Sequence, residues 1–145
     1  MTESDDPFQL ERFIEAQHGV YEDALTELRR RRKTSHWMWF IFPQVAGLGS
    51  SAMAVRHAIS SLAEARAYLN HPVLGRRLRD CASALTEHTG RSAHAILGSP
   101  DDLKLKSSMT LFAQAAPDEP LFGQVLDTYF DGERDPLTLA RLREA

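Results

Sequence analysis

The chain has 145 residues, 43% of them apolar and 26% charged, with a formal net charge of −3. These values fit one globular domain that is large enough to bury a core without a metal or a disulfide. Net acidity gives no general attraction to nucleic acid or to an anionic membrane, and a single cysteine excludes an internal disulfide. No apolar stretch approaches the roughly 18 residues that a membrane-spanning helix needs.

The N-terminus, residues 1–6, is acidic and lacks the basic and apolar regions of a signal peptide. We therefore expect a cytoplasmic, monomeric protein with a single domain over residues 1–145, of which residues 1–6 are flexible. We expect neither nucleic acid nor a membrane as its partner.

The first part of the chain has a helical pattern. Asp6 followed by Pro7 is typical of a helix start, because aspartate can cap the helix and proline needs no amide partner in the first turn. Apolar residues then recur at helical spacing as far as Leu28, and Gly19 marks a point where the helix can kink or split. Residues 29–33, RRRRK, are predicted to form a solvated last turn, where cations suit the helix dipole.

Residues 35–44, SHWMWFIFPQ, form a Trp-rich segment that contains both tryptophans of the protein. The apolar part shows neither helical nor strand periodicity, and Pro43 disfavours helical backbone at Phe42. We predict a short helix or an extended segment that ends there and is mostly buried. Its tryptophans can be core residues or ring faces of a binding site, and the sequence leaves both interpretations open.

The glycine turn at residues 47–49 permits positive φ angles, and Ser50 or Ser51 is predicted to start a short helix. Ser61 and Glu64 have the spacing of a capping box at the start of the following helix.

Pro72 is predicted to open the next helix, whose single apolar face includes Cys81, and Gly90 to end it. On that face Cys81 is expected to be a small buried residue rather than a reactive thiol.

The last third of the chain shows further helix starts and no strand-like alternation. Ser92 is predicted to cap a short turn. Ser99, followed by Pro100 and two acidic residues, is the strongest helix start in the chain. Pro120 and Asp135 are predicted to open the final two helices. The sequence therefore predicts an all-α fold, a single compact domain of about seven or eight helices.

Several long motifs resemble one protein family. They are HWMWFIFPQ at residues 36–44, GLGSS at 47–51, HPVLG at 71–75 with Arg77 and Leu78, and DDLKLKSSMTLF at 101–112. Together they are similar to the family catalogued as domain of unknown function 1810, over nearly the whole chain. The resemblance implies a single all-helical domain and no particular activity. The family is sometimes labelled calpastatin, whose inhibitory segments are disordered and polar, whereas this chain has the apolar residues of a full core.

The sequence contains no familiar metal or nucleotide motif. None of its six histidines has His-Glu-x-x-His spacing, and one cysteine cannot build a cysteine-rich site, so we expect no metal. Gly-x-Gly-x-x-Gly, Walker A and Gly-x-Ser-x-Gly patterns do not occur either, and we expect no cofactor.

The remaining candidates for a site are polar side chains next to large apolar ones. They are Lys33, His36, Gln44, Ser50, Arg56, Lys104, Lys106, Ser107 and Ser108, with Trp37 and Trp39 as ring faces. Cations and hydroxyls beside aromatic rings suit a planar molecule that carries a phosphate or carboxylate. We therefore predict a site for a small anionic metabolite, such as a nucleotide, between the Trp-rich segment and the helix after Ser99. If the protein is an enzyme, His36 is the candidate general acid or base, because imidazole titrates near neutral pH.

Some of these residues also have structural interpretations. Ser107 and Ser108 can be small residues that permit tight helix packing, and His36 can be a cap or a buried histidine. A second functional hypothesis is a protein-interaction module that docks a partner on exposed tryptophan, with residues 29–33 as a basic rim. Burial of the tryptophans separates the two hypotheses, because a docking surface needs them exposed.

Overall fold

The computed structural model describes residues 6–87 and 90–144 of the chain. Within these residues the backbone forms ten α-helices and one isolated parallel bridge between Val45 and Ile59. The helices are α1 (Glu11–Gln17), α2 (Tyr21–Arg29), α3 (Met38–Ile41), α4 (Ala52–Arg56), α5 (Leu62–Asn70), α6 (Leu74–Thr86), α7 (Ala93–Leu97), α8 (Asp101–Ala115), α9 (Leu121–Phe130) and α10 (Pro136–Glu144).

The predicted all-α fold is confirmed, with more helices than the seven or eight expected. The difference comes from elements such as α3, α4 and α7, which have only four or five residues each. Helices this short span little more than one turn, so their apolar residues cannot show a helical period.

The 15-residue helix α8 lies at the centre of the domain and packs against α5, α7, α9 and α10. Its second half is buried almost all round, which is typical of a helix that neighbours cover on every side. A row of aromatic rings crosses the core through it. Phe13 lies 5.1 Å from Tyr68, Tyr68 lies 5.5 Å from Phe112, and Phe112 lies 5.8 Å from Phe122.

Three predicted serine caps are confirmed. The hydroxyls of Ser51, Ser61 and Ser92 each accept a hydrogen bond from the amide three residues later, at 3.0–3.2 Å. Ser99 is different, since α8 begins at Asp101 with Pro100 in the cap position and no side-chain cap. The prediction that Ser99 caps this helix is therefore wrong, although the helix does start within a turn of it.

The start of the chain also differs from the prediction. Asp6 and Pro7 precede a turn, and α1 begins only at Glu11. The Asp6 carboxylate nevertheless accepts the amides of Leu10 and Glu11, at 2.7 and 3.0 Å, and so satisfies donors of the first helical turn. Of the predicted flexible residues 1–6, residues 1–5 lie outside the described part, and Asp6 is held by these bonds.

The remaining boundaries follow local signals. Gly19, with φ +74°, separates α1 from α2 as predicted. α6 starts at Leu74, two residues after Pro72, and ends at Thr86, before residues 88–89, which are outside the described part. Cys81 is buried in α6, and burial raises the pKa of its thiol to about 12, which makes it unreactive.

No described helix is long and apolar enough to cross a bilayer. Among the described residues, no three His, Cys, Asp or Glu side chains are placed to hold a metal ion together.

Glu27 of α2 binds the beginning of the Trp-rich segment through hydrogen bonds. Its carboxylate accepts the Ser35 hydroxyl at 2.6 Å, the Trp37 indole N–H at 2.8 Å, and the amides of Thr34 and Ser35. Desolvation raises the pKa of Glu27, but these hydrogen bonds outweigh it and lower the pKa from 4.5 to about 2.

This arrangement predicts a pH effect on stability. A carboxyl whose pKa is lower in the folded state contributes stability above its unfolded pKa, and that contribution is lost as the pH falls. We expect the free energy of unfolding of the wild type to decrease between about pH 5 and pH 2 by more than that of Glu27→Gln. Urea denaturation at several pH values measures both slopes, and parallel profiles would contradict the prediction.

Candidate functional site

A pocket lies beside Trp39, between α3, the loop at residues 43–49, α4 and α8. We call it the Trp39 pocket, and its volume is about 100 Å³. The walls are mainly apolar, with three polar side chains among the residues lining it. They are Met38, Trp39, Phe42, Gln44, Val45, Ala46, Gly47, Gly49, Ala54, Val55, His57, Ala58 and Lys104.

The bridge between residues 44–46 and Ile59 fixes two walls of the pocket. The Ile59 amide donates to the Gln44 carbonyl, and the Ala46 amide donates to the Ile59 carbonyl, both at 2.8 Å. These bonds hold the loop after α3 against the segment after α4. The pocket therefore lies where two irregular segments are joined by backbone hydrogen bonds.

Lys104 and Trp39 form one edge of the Trp39 pocket. The Lys104 Nζ lies 4.9 Å from the centroid of the Trp39 ring and 3.5 Å from the Asp101 carboxylate. Asp101 also pairs with Lys33, at 2.9 Å. One carboxylate is thus shared by two ammonium groups, which gives this edge a net positive charge.

Arg141 of α10 lies against the loop at residues 43–49. Its Nε donates to the Ala46 carbonyl at 3.2 Å. Gly47 has φ +95°, and a Cβ at this position would lie 1.8 Å from the Arg141 guanidinium. Glycine is therefore needed at position 47 both for the backbone conformation and for the close approach of this cation.

His57 is the one described histidine that lines the pocket, and it is 3% exposed. Its Nδ1 lies 3.1 Å from the Met53 carbonyl oxygen. Burial lowers the pKa of His57 below 6.5, the Met53 bond partly offsets this, and the charges of Arg56 and Arg12 lower it further. The imidazole is therefore neutral at pH 7.

Arg12 of α1 holds the wall that contains His57. Its guanidinium donates to the carbonyls of Arg56 and Ala58, at 2.8 and 2.7 Å, and pairs with Glu64 at 2.6 Å. The residues on both sides of His57 are thus tied through their backbone to one arginine. These three contacts join residues that are separated by between 44 and 52 positions along the chain.

Three of the predicted site residues line the Trp39 pocket: Trp39, Gln44 and Lys104. They come from α3, from the loop after it and from α8. The pocket thus lies between the Trp-rich segment and the helix after Ser99, which is the location that the sequence indicated. Ligand binding there stays a prediction.

Lys33 and Trp37 do not line the pocket. Lys33 is engaged by Asp101, and its Nζ lies 5.2 Å from the Trp37 ring. Trp37 is 0% exposed, whereas Trp39 is only partly buried. Trp37 is therefore a core residue, and it presents no ring face to a ligand or to a docking partner.

His36, Ser50 and Arg56 are exposed and lie outside the pocket lining. Arg56 contributes its backbone carbonyl to the Arg12 contacts, while its side chain points to solvent. The structure therefore does not bring His36, Arg56 and Ser107 together into one site. The geometry gives His36 no position from which to act as acid or base in this pocket.

The predicted residues in the middle of α8 serve packing between helices. The Ser107 hydroxyl forms a 2.8 Å hydrogen bond with the Thr138 hydroxyl of α10. Ser108 is fully buried, and its hydroxyl has no hydrogen-bond partner in the described part of the chain. Lys106 pairs with Glu133. The structural interpretation of these small residues fits their surroundings better than a pocket-lining role.

Sequence reasoning missed two residues, His57 and Arg141. A histidine among apolar residues just after a short helix is a weak signal, although it could have placed His57 beside the glycine turn. Arg141 gave no signal, because its contact with Ala46 joins residues 95 positions apart.

The comparisons with known proteins agree with this fold. The family described as a protein of unknown function, DUF1810, matches residues 7–142. This chain belongs to the DUF1810 family. The expected resemblance is therefore confirmed.

A solved structure is similar to this DUF1810 protein over almost its full length. It is the crystal structure of the conserved hypothetical protein Rv1873 from Mycobacterium tuberculosis, with 53% sequence identity and a TM-score of 0.93. The match covers 95% of this chain and 99% of the other. No curated protein matches the chain. The fold is thus shared with a solved relative, and a fold alone does not specify a function.

Proposed function

We propose that this DUF1810 protein binds a small molecule that places a planar ring in the Trp39 pocket and a negatively charged group at its edge. The observation that carries the proposal is the composition of the pocket, which has mainly apolar walls, three polar side chains in its lining and a cation over an aromatic ring at its edge. Such a composition is typical of small-molecule sites. Cytoplasmic location and a monomeric state stay predictions.

The size of the pocket limits what can enter. A volume of about 100 Å³ has room for several water molecules, or for one small ring in their place. The remainder of a larger metabolite would lie along the edge, where Lys104 carries a positive charge. A nucleotide-like molecule fits this description only with its ring inside and its phosphates outside.

The charge at the edge favours an anion over a cation. Lys104 shares its carboxylate partner with Lys33, so it can still interact with a ligand anion. Arg141 places a guanidinium beside the loop at Ala46, and the charge of that group also favours anions over cations. A cationic ligand would meet repulsion at the same positions.

Thermal-shift screening tests the proposal with a panel of nucleotides, ADP-ribose-type compounds and aromatic carboxylates. A true ligand present at 100 times its Kd should stabilise the fold by about 2.7 kcal/mol, a rise in Tm of roughly 5–10 °C. Chemical-shift mapping with labelled methyl groups of Met38, Ala54, Val55 and Ala58 locates the ligand.

Matched variants make the test specific. Lys104→Gln should reduce the shift produced by an anionic ligand, while Lys106→Gln, on the same helix but paired with Glu133 outside the pocket, should leave it unchanged. Arg56→Ala should also leave the shift unchanged, because Arg56 does not line the pocket. Equal effects of Lys104→Gln and Lys106→Gln, or perturbed methyl groups only outside the pocket, would contradict the proposal.

A further inference from the structure

The hydrogen bonding of His57 determines which of its nitrogens carries the proton. The Nδ1 atom lies 3.1 Å from the Met53 carbonyl oxygen, which can only accept a hydrogen bond. Nδ1 must therefore be the protonated nitrogen of the neutral ring. The other nitrogen, Nε2, is then a lone-pair acceptor.

The imidazole ring is held in place on more than one side. The ring centroids of Phe13 and Phe40 lie 5.7 and 5.5 Å from that of His57. The Met53 bond fixes its rotation, and the contacts of Arg12 fix the backbone on either side. The orientation of Nε2 is therefore set by the fold before any ligand arrives.

The Nε2 acceptor is buried and has no hydrogen-bond partner in the described residues. Buried acceptors are nearly always paired, and an unpaired one costs free energy. His57 also lines the Trp39 pocket. The group that would satisfy this atom is an N–H or O–H that packs against His57 from the pocket side.

We propose that His57 selects ligands of the Trp39 pocket by accepting a hydrogen bond from a ring N–H or O–H through Nε2. The inference rests on the proposed function and narrows it. The ligand class becomes a planar heterocycle that carries a hydrogen-bond donor on the part inside the pocket and a carboxylate or phosphate on the part at the edge.

Discrimination follows from the chemistry of the two partners. A ring N–H opposite Nε2 forms a hydrogen bond, whereas a ring oxygen in the same place would set two lone pairs against each other. Sites built around such a bond reject analogues that lack the donor, because the buried partner is left unpaired. Apolar walls alone would not distinguish rings of equal size.

A matched pair of acids tests the role of His57 in the wild-type protein. The probes are pyrrole-3-carboxylate and furan-3-carboxylate, each titrated by NMR on the pocket methyl groups. Within the pair, size and charge are equal and only the donor differs. We expect the donor-bearing acid to bind about 3- to 10-fold more tightly, the range of one neutral hydrogen bond.

A second readout reports on His57 itself. Long-range ¹⁵N–¹H spectra of the free protein should show the proton on Nδ1, and the Nε2 resonance should shift when pyrrole-3-carboxylate binds but not when furan-3-carboxylate binds. In His57→Phe, which keeps a ring and removes the acceptor, the two acids should bind equally. If that variant does not fold, the affinities of the two acids for the wild-type protein and the nitrogen spectra still test the role of His57.

The outcomes separate this inference from the proposed function. Acids that bind in the pocket without preference for a donor would overturn the role of His57 and leave the proposed function standing. A proton on Nε2 in the free protein at pH 7 would overturn it as well. If no acid of either kind perturbs the pocket methyl groups, both proposals fail for this ligand class.

Discussion

Replacing Trp37 with alanine is expected to lower the free energy of unfolding by about 3–5 kcal/mol, as for other buried large aromatics. The side chain is 0% exposed, and its ring centroid lies 6.3 Å from that of Phe42. The substitution would leave a cavity and would also remove the indole N–H that donates to Glu27 at 2.8 Å. Urea denaturation at pH 7, followed by far-UV circular dichroism, measures the loss.

Trp39→Ala is the matched control, since both tryptophans belong to the same short segment. Trp39 is only partly buried and lies on the pocket wall, so less apolar surface is lost. We expect a cost of about 1–2 kcal/mol for Trp39→Ala. Equal losses for the two variants, or a loss below about 1 kcal/mol for Trp37→Ala, would overturn the assignment of Trp37 to the core.

Arg12→Met should have an effect of similar size, about 3–5 kcal/mol, because it leaves the Glu64 carboxylate buried without its cationic partner. Glu64 is 3% exposed, and its carboxylate keeps the hydrogen bonds from the amide and hydroxyl of Ser60. The carbonyls of Arg56 and Ala58 lose their donors in the same variant. Methionine retains the apolar stem, so the loss reports on the polar contacts.

A double-mutant cycle isolates the ion pair. Glu64→Gln removes the buried charge, so the combination with Arg12→Met should cost less than the sum of the two single changes. The pair formed by Arg76 and Asp80 is a control, because its side chains are 83% and 43% exposed and a surface pair contributes little. We expect about 0–1 kcal/mol for Arg76→Met. Strict additivity in the cycle would contradict the ion-pair interpretation.

The Arg12 variant also tests the structure of the pocket wall. Because its contacts hold the backbone on both sides of His57, Arg12→Met should weaken any ligand of the Trp39 pocket even under conditions where the variant remains folded. Arg76→Met should not weaken the ligand, because Arg76 does not line the pocket.

Many helix starts were predictable from the sequence because capping is local. A serine that caps a helix accepts an amide only three residues away, so Ser51, Ser61 and Ser92 could be identified from neighbouring residues alone. Ser99 shows the limit of this reasoning. It has the right composition around it, but the backbone enters α8 one residue later, with Pro100 at the cap position.

The candidate site was predictable only in part. Trp39, Gln44 and Lys104 were found because large apolar residues beside polar ones are visible in the sequence. The same signal selected Trp37 and Ser107, which the structure places in the core and between helices. Trp37 and Trp39 are two positions apart and differ in burial, and composition cannot distinguish them.

The sequence by itself determined the family, the all-α class and most helix boundaries, since these depend on motifs, periodicity and caps within a few residues. Only the tertiary structure decided that Trp37 is buried, that His57 lines the pocket and has a buried Nε2 with no partner among the described residues, and that Arg141 reaches the loop at Ala46. The physical reason is distance along the chain. The contacts of Arg12 and Arg141 that shape the pocket join residues separated by between 44 and 95 positions along the chain. Such contacts form only when helices pack.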